Sequence, residues 1–422
     1  MFTRHSRERV LAALERRACD RVPVDFGGTV LTGAHVSIVS KLRERLGLGG
    51  LRVKVSEPAQ MLGEVGEDLA AMLETDIVSL DGPTNVMGFP QENWKPWRTF
   101  DGTDVLVPEL FNTATAEDGS IYQWACGDRN YSPSMRMPRD GFYFDSIIRQ
   151  KPIEEDKLDY RDNCEEFTLL TDETLKIWQR NADELYARTN KAIATVFGGT
   201  GFGDVFLVPG PFLKNPRGIR DIEEWYISTV SRRDYILNVF DYQADIAIKN
   251  IELLYQAVGE KVQLIYICGT DLATQQGLFC SLETYRELYK PFHKRINDWI
   301  HRNTKWKTMK HSCGACEPLI GDFIEAGFDA LNPVQCSAAG MEPEKLVAKY
   351  GKKITFWGGG VDTQKTLPFG RPEEVYEQVK ERVKVLGKEN GLIFAAVHNI
   401  QCGTPIENVL AMFKALREVR VG

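Results

Sequence analysis

The sequence predicts a (β/α)8 TIM barrel with an inserted loop and strand region before the later barrel strands. Between residues 262 and 420, short apolar runs alternate with amphipathic helical stretches, which is the spacing of a parallel sheet. Most of these runs are largely apolar, as strands covered on both faces must be. The alternative is a doubly wound open sheet, but no Gly-x-Gly-x-x-Gly follows the first predicted strand.

A strand, a loop and a helix repeat along the second half of the chain. The predicted strands, rich in β-branched and aromatic residues, are 22–26, 194–199, 262–268, 307–311, 328–334, 354–357 and 392–397. The helices predicted from the spacing of apolar residues are 215–258, 281–303, 317–326, 342–350, 372–387 and 405–420.

Two of these helices begin with specific signals. Thr404, Pro405 and Glu407 stand at the cap, first and third positions of a predicted capping box. Pro372 begins the other helix, and Gly387 is placed to end it.

We expect residues 1–422 to form a single barrel domain. Residues 85–190 break the alternation with aromatic side chains among Pro, Gly and Asp, and we interpret them as an insertion of short strands and loops over the barrel mouth. The glycine-rich stretch 198–203 is interpreted as a loop whose backbone approaches a ligand or, equally, as a hairpin turn.

Composition restricts the partners and the compartment. The 52 basic and 59 acidic residues give a net charge of −7, which argues against nucleic acid or an anionic membrane as the main partner. No apolar run approaches the ~20 residues that cross a bilayer, and the charged start of the chain does not resemble a signal peptide. The nine cysteines are expected to be reduced thiols in a cytoplasmic protein.

The most informative pair in the chain is His311 and Cys313, at the end of a predicted strand. Their spacing of two directs both side chains into the same barrel mouth. Imidazole and thiolate are zinc ligands, and a third protein ligand would leave one coordination position open for chemistry. His398, directly after the strand 392–397, is the favoured third ligand, and Cys402 is the alternative.

Two other interpretations of this pair stay open. Cys313 could be a buried thiol beside a hydrogen-bonded histidine. Cys313 and Cys316 also have the spacing of a redox pair at a helix start, although nothing else in the chain resembles a thioredoxin domain.

Polar residues also stand at other predicted strand ends, where barrels place their functional groups. Asp271 and Asp362 are predicted to be catalytic, with turn-forming roles as the alternative. Asn332 and Gln335 offer both donors and acceptors, and together with Asp25 they are predicted to bind the substrate.

The order of these motifs resembles the uroporphyrinogen decarboxylase superfamily, and most closely its branch of corrinoid-dependent zinc methyltransferases. The motifs that carry the resemblance lie at 20–28, 310–314, 329–335, 356–364 and 398–408. The resemblance implies a (β/α)8 barrel and, in the methyltransferase branch, a zinc ion held by a His-x-Cys pair and a distant cysteine. His311 and Cys313 match the pair, whereas His398 stands in the place of the distant cysteine.

The resemblance also implies a function: transfer of a methyl group between a small molecule and the cobalt of a corrinoid (cobalamin). The chain contains no Asp-x-His-x-x-Gly corrinoid motif, so the corrinoid is expected on a separate partner protein. Two imidazoles and one thiolate leave a net positive charge at the zinc, which favours an oxygen or nitrogen ligand. The hypothesis is therefore O-demethylation of a small methoxylated, aromatic compound.

Three alternatives to this function remain. The first is methyl transfer from a methyl-corrinoid to a thiol or to tetrahydrofolate. The second is metal-free decarboxylation of a tetrapyrrole or a smaller acid, although the Arg21-Val-Pro motif is not followed by the arginines that hold porphyrinogen carboxylates in the decarboxylases. The third is a binding protein without catalysis.

Overall fold

The structure is a computed structural model that describes residues 5–196 and 199–419. Gly198, at the start of the predicted glycine-rich loop, lies outside the described residues. The strands are β1 Val55–Glu57, β2 Leu62–Gly63, β3 Ile77–Leu80, β4 Lys95–Arg98, β5 Asp104–Val107, β6 Thr113–Thr115, β7 Ile121–Gln123, β8 Met135–Met137, β9 Asp145–Ser146, β10 Ala192–Val196, β11 Leu264–Cys268, β12 Lys307–His311, β13 Ala330–Asn332, β14 Thr355–Trp357 and β15 Leu392–Ile393.

Helices connect most of the later strands. They are α1 Ser6–Leu14, α2 Val36–Arg45, α3 Glu67–Met72, α4 Asp172–Arg188, α5 Ile222–Ser231, α6 Arg233–Val258, α7 Leu282–Thr284, α8 Lys290–Asn303, α9 Glu317–Glu325, α10 Pro343–Tyr350, α11 Thr366–Phe369, α12 Pro372–Leu386 and α13 Ile406–Glu418. A π-helical turn, Tyr285–Tyr289, joins α7 to α8. Within the described residues, no helix combines the length and the apolar composition that crossing a bilayer requires.

One curved parallel sheet contains seven strands in the order β3, β10, β11, β12, β13, β14, β15. The predicted first strand, 22–26, lies between the two edges of this sheet. Val24 forms a parallel bridge with Phe394. The Asp25 N–H donates to the Phe394 carbonyl (2.8 Å), and the Asp76 N–H donates to the Val24 carbonyl (2.8 Å). The sheet therefore closes in sequence order, and the predicted (β/α)8 fold is confirmed.

Apolar side chains fill the barrel interior and its N-terminal end. Helix α1 covers that end, where the Thr355 hydroxyl donates to the Ala13 carbonyl (3.0 Å). The C-terminal ends of the strands, which form the barrel mouth, are thus left for a site. The buried residues of the inner cluster are Val10, Ala13, Leu14, Leu31, Ile77, Ala192, Ala194, Leu264, Met309, Ala330, Trp357, Ile393 and Ala395.

The two helix starts differ from each other. At α12 the Arg371 N–H donates to the Glu374 carboxylate (2.8 Å), and Gly387 caps the other end, as the sequence predicts. The capping box predicted at Thr404 is wrong, because α13 begins at Ile406 with Pro405 as its cap residue. The Thr404 hydroxyl instead donates to the Gln401 carbonyl (2.9 Å), which closes the preceding turn.

The region predicted as an insertion contains two small antiparallel sheets, β4–β5 and β6–β9. It contacts loops that follow barrel strands: Arg149 donates to the Gly210 carbonyl (2.6 Å), and His35 bonds to the Phe142 carbonyl (3.0 Å). The last part of residues 85–190, helix α4, packs against α6 and so belongs to the outer helical layer. The placement of 85–190 over the mouth stays a prediction.

A buried carboxylate joins three parts of the barrel at its N-terminal end. Asp76, which is fully buried, accepts hydrogen bonds from Arg9 (2.6 Å), Arg21 (2.6 Å) and Ser6 (2.7 Å). It also accepts one from the Val24 N–H (2.8 Å). The same residue thus connects α1, the closing segment 22–26 and the start of β3.

Replacing Asp76 with Asn should destabilise the fold strongly, because two guanidinium groups would lose their buried counter-ion. We expect a loss of about 3–5 kcal/mol in the free energy of unfolding, measured by urea denaturation. Asp298→Asn is the matched control, since Asp298 pairs with Lys294 (2.7 Å) on the surface and should cost less than about 1 kcal/mol. Equal losses in the two variants would contradict the role of Asp76.

Candidate metal centre

Three potential metal ligands meet at the barrel mouth. His311 ends β12, Cys313 follows it, and His398 follows β15 across the barrel. Their ligand atoms all lie within 4.8 Å of one another. The Cys313 Sγ is 3.4 Å from His311 Nε2, and the rings of His311 and His398 are 5.6 Å apart between centroids. The predicted pair therefore shares one mouth.

Asn332 fixes the orientation of the His311 ring. Its Oδ1 lies 2.6 Å from His311 Nδ1, and its Nδ2 donates to the Trp357 carbonyl (3.0 Å). Because the bond to Trp357 makes Oδ1 the acceptor, Nδ1 of His311 carries the proton. The Nε2 lone pair is therefore free to face Cys313 and a metal ion.

The turn after β12 is held by two further polar side chains. Asp271 Oδ1 accepts from the Cys313 N–H (2.7 Å) and lies 3.8 Å from His311 Nε2. Gln335 Oε1 accepts from the Gly314 N–H (2.7 Å). Gly314 has φ +88°, and a Cβ there would lie 2.4 Å from the Thr274 carbonyl oxygen, so this turn requires glycine.

Burial keeps all three potential ligands neutral in the metal-free protein. It lowers the pKa of His311 and, helped by the nearby His311, lowers the pKa of His398 to about 4. Burial and the neighbouring Asp271 carboxylate raise the pKa of the Cys313 thiol well above its usual range. Neutral imidazoles are ready ligands, whereas the thiol would ionise only when a cation binds.

The donor set fits Zn²⁺. Two imidazole nitrogens and one sulfur are zinc donors, with bond lengths of about 2.0–2.1 Å and 2.3 Å. Ligand atoms up to 4.8 Å apart need only a small inward movement to share one ion. Three protein ligands leave a fourth position for water or substrate.

The two candidates for the third ligand lie in different places. His398 belongs to the cluster. The Cys402 thiol lies 3.7 Å from Asp101 Oδ2, outside the cluster. Cys316 is fully buried, and its thiol is directed at the Ser312 carbonyl (3.7 Å) rather than at the mouth.

The remaining predicted residues make contacts within the protein. Asp25 accepts from the Trp357 indole (2.8 Å) and the Gly28 N–H (2.9 Å), and burial raises its pKa to about 6. Asp362 accepts from the backbone N–H groups of Gln364 (2.7 Å) and Lys365 (3.1 Å), which is a turn-forming geometry. The catalytic role of Asp362 stays a prediction, as does substrate binding by Asp25, Asn332 and Gln335.

Sequence reasoning missed two polar side chains of the mouth. Tyr266 on β11 has its ring centroid 6.3 Å from that of His311. Side chains two residues apart on a strand point to the same face, and Leu264 faces inward. The strand period could therefore have predicted that Tyr266 also faces the barrel interior. Asp204 follows the glycine-rich loop after β10, and no spacing in the sequence connects it to β11.

The chain is similar to a known family over its second half and to known methyltransferases. Residues 215–419 match the sequence model of the family Uroporphyrinogen decarboxylase (URO-D). A curated relative, the methylated-thiol–coenzyme M methyltransferase of Methanosarcina mazei, is 27% identical over 142 residues. That match covers 33% of this chain and 35% of the relative, so it spans about a third of the relative's length.

The solved structure of a methyltransferase from Methanosarcina mazei is similar over the whole barrel. It aligns with a TM-score of 0.56 and 16% sequence identity, and the alignment covers 99% of each chain. At this identity the likeness shows a shared fold. The family match over residues 215–419, the curated relative and the common fold all fit the uroporphyrinogen decarboxylase superfamily and its methyltransferase branch.

Proposed function

We propose that this protein is a zinc-dependent methyltransferase that moves a methyl group from a small methoxylated aromatic compound to the cobalt of a separate corrinoid protein. The observation that carries the proposal is the cluster of His311, Cys313 and His398 in a barrel mouth. Such a donor set keeps one coordination position for a reacting molecule. The methyltransferase relatives support the class of reaction.

The chain's own residues account for most of the site. His311, Cys313 and His398 would hold the zinc, and the zinc would supply Lewis acidity to a substrate oxygen. Asn332 keeps His311 in the tautomer that can bind metal. Asp271 holds the backbone of Cys313 and places a carboxylate close to the ligands.

The choice of an oxygen substrate follows from charge. One thiolate and two neutral imidazoles leave a net charge of about +1 on a Zn²⁺ centre. A second thiolate would remove it and favour activation of a thiol. The aromatic side chains near the mouth, Tyr266 and the Phe279–Tyr226 pair (5.2 Å between ring centroids), suit an aromatic ring.

A second candidate is transfer of a methyl group to or from sulfur. It is favoured by the name of the curated relative, which acts on methylated thiols and coenzyme M. A methyl-corrinoid donor with tetrahydrofolate as the acceptor belongs to the same class. Metal-free decarboxylation is disfavoured, because Asp271, Asn332 and Gln335 beside the cluster carry no positive charge to hold a carboxylate. The buried ammonium of Lys310 already donates to the Thr270 and His311 carbonyls (2.6 and 2.5 Å).

The corrinoid would come from a partner protein. We propose that the partner docks at the barrel mouth, where the described Phe279 is 48% exposed. Its cobalt would then reach the methyl group held beside the metal centre.

The protein should contain about one zinc ion per chain after gentle purification. His311→Ala should lose the ion, because it removes a nitrogen ligand and leaves only two. Cys402→Ser is the control and should keep the ion, since its thiol lies against Asp101. Elemental analysis measures both. A purified protein that is metal-free and takes up no added Zn²⁺ would rule out the proposed centre.

Asn332→Ala should weaken zinc binding about 10–100-fold, because His311 would lose the acceptor that fixes its tautomer. Asn332→Asp keeps an acceptor oxygen at the same place and should recover most of the affinity. Competition with a chromogenic chelator gives the affinities, and circular dichroism checks that both variants are folded. Unchanged affinity in the alanine variant would show that Asn332 does not position the ligand.

With Co(I) cobalamin, the zinc-loaded protein should convert aryl methyl ethers to phenols and form methyl-Co(III), which is seen by its visible absorption. The reason is the positive charge of the proposed centre, which polarises an ether oxygen. Methylcobalamin with a simple thiol is the reverse assay. Turnover of methylcobalamin with the thiol, and none with the ethers, would replace O-demethylation by methyl transfer to sulfur as the function. Decarboxylation by the metal-stripped protein would contradict both.

A further inference from the structure

An acidic and a phenolic side chain meet beside the metal centre. Tyr266 projects from β11 into the barrel, and its ring is edge-on to that of His311 with 6.3 Å between centroids. Asp204 approaches from the loop after β10 and is only 9% exposed. Neither belongs to the ligand cluster.

The Asp204 carboxyl is held in one orientation. Its Oδ1 accepts hydrogen bonds from the backbone N–H groups of Phe206 (2.9 Å) and Leu207 (3.3 Å). These bonds leave Oδ2 directed toward β11. The position of this oxygen is therefore set by the local fold and not by an ion pair.

Gly269 shows how closely the two side chains approach. A Cβ at this residue would lie 1.8 Å from the Tyr266 hydroxyl oxygen and 2.4 Å from Asp204 Oδ2. The two oxygens thus converge on one point that only glycine leaves open. A phenol and a carboxyl that border one small space can both face a third oxygen in the mouth, and the carboxyl can give that oxygen a proton.

The surroundings favour the protonated form of Asp204. Burial raises its pKa to about 7, and the nearby Cys268 and Asp271 act in the same direction, although the N–H of Phe206 opposes them. The titratable groups that face Asp204 are Tyr266 and Cys268 on β11, Asp271 after it and Tyr226 on α5, all acidic or neutral. A carboxylic acid that is neutral near pH 7 can donate a proton.

We propose that Asp204, paired with Tyr266, is the proton donor to the substrate oxygen that loses its methyl group. The inference rests on the proposed function and names the acid that this function requires. When the C–O bond breaks, its electron pair stays on oxygen, and the reduced corrinoid supplies the pair for the new bond to carbon. The oxygen then takes the proton of Asp204, which leaves a phenol and a carboxylate.

The first test needs no turnover. At pH 6 the infrared spectrum of the wild type minus that of Asp204→Asn should show the carbonyl band of a protonated carboxylic acid, and this band should fade as the pH rises through about 7. Subtraction isolates Asp204 from other buried acids with a raised pKa, such as Asp25 and Glu57. No such band at pH 6 would overturn the proposal.

The second test uses two methyl ethers with Co(I) cobalamin: 4-nitroanisole, whose phenolate leaves readily, and anisole, whose phenolate needs a proton. Asp204→Asn should slow anisole about 10²–10⁴-fold but 4-nitroanisole less than ~10-fold. In the wild type, anisole turnover should decline above about pH 7 as Asp204 ionises. Equal slowing of both ethers would show a structural role and overturn the proposal.

Glu57→Gln is the matched control. Glu57 is also buried with a pKa raised to about 7, but it accepts from the backbone of Ala59 and Gln60, in the segment after β1 and not beside β11. Its substitution should leave the ratio of the two ether rates unchanged. If the zinc-loaded wild type turns over neither ether, the proposed function fails, while the infrared band still decides whether Asp204 holds a proton at the mouth.

Discussion

The proposed metal centre depends on the closure of the sheet by residues 22–26. In an open parallel sheet, β12 and β15 would be three strand spacings apart, about 14 Å at ~4.8 Å per strand. That distance is too long for one ion to bind side chains from both. The hydrogen bonds that link Asp25 to Phe394 and Asp76 to Val24 curve the sheet into a barrel. His311 and His398 then face each other across its mouth.

Behind the ligands, a line of hydrogen bonds crosses the barrel interior. It runs from His311 through Asn332 to the Trp357 carbonyl, while the Trp357 indole donates to Asp25. Asp25 lies in the closing segment, so the strand that completes the barrel also supports the ring of the first ligand. In a buried, low-dielectric interior, each satisfied bond of this kind restricts its neighbours. This explains why Asn332 and Asp25, both expected to bind substrate, make contacts within the protein.

Sequence alone predicted the barrel and the His311–Cys313 pair, because strand period and strand ends are local properties. β12 has its predicted bounds, Lys307–His311.

The capping box predicted at Thr404 failed because a hydroxyl can bond within either of two adjacent turns, and the path of the chain decides which turn it closes. Sequence alone also favoured His398 over Cys402, because His398 directly follows a strand, but its approach to His311 depends on the position of a whole loop relative to β12. The approach of Asp204 to Tyr266 joins segments 62 positions apart, which no periodicity records.

Burial places two acids of opposite behaviour in one mouth. A divalent cation would ionise the Cys313 thiol despite its raised pKa, since coordinated thiols lose their proton. Asp204, beside Tyr266, is not part of the cluster and would hold its proton up to about pH 7. With a cation bound, the thiol would be ionised and the carboxyl protonated, and such a difference in protonation marks separate roles in catalysis.

Breaking a C–O bond needs a cation to polarise the oxygen and an acid to protonate it. Methyl transfer to a thiol releases a proton and needs a base instead, so the two candidate functions require opposite protonation states of Asp204.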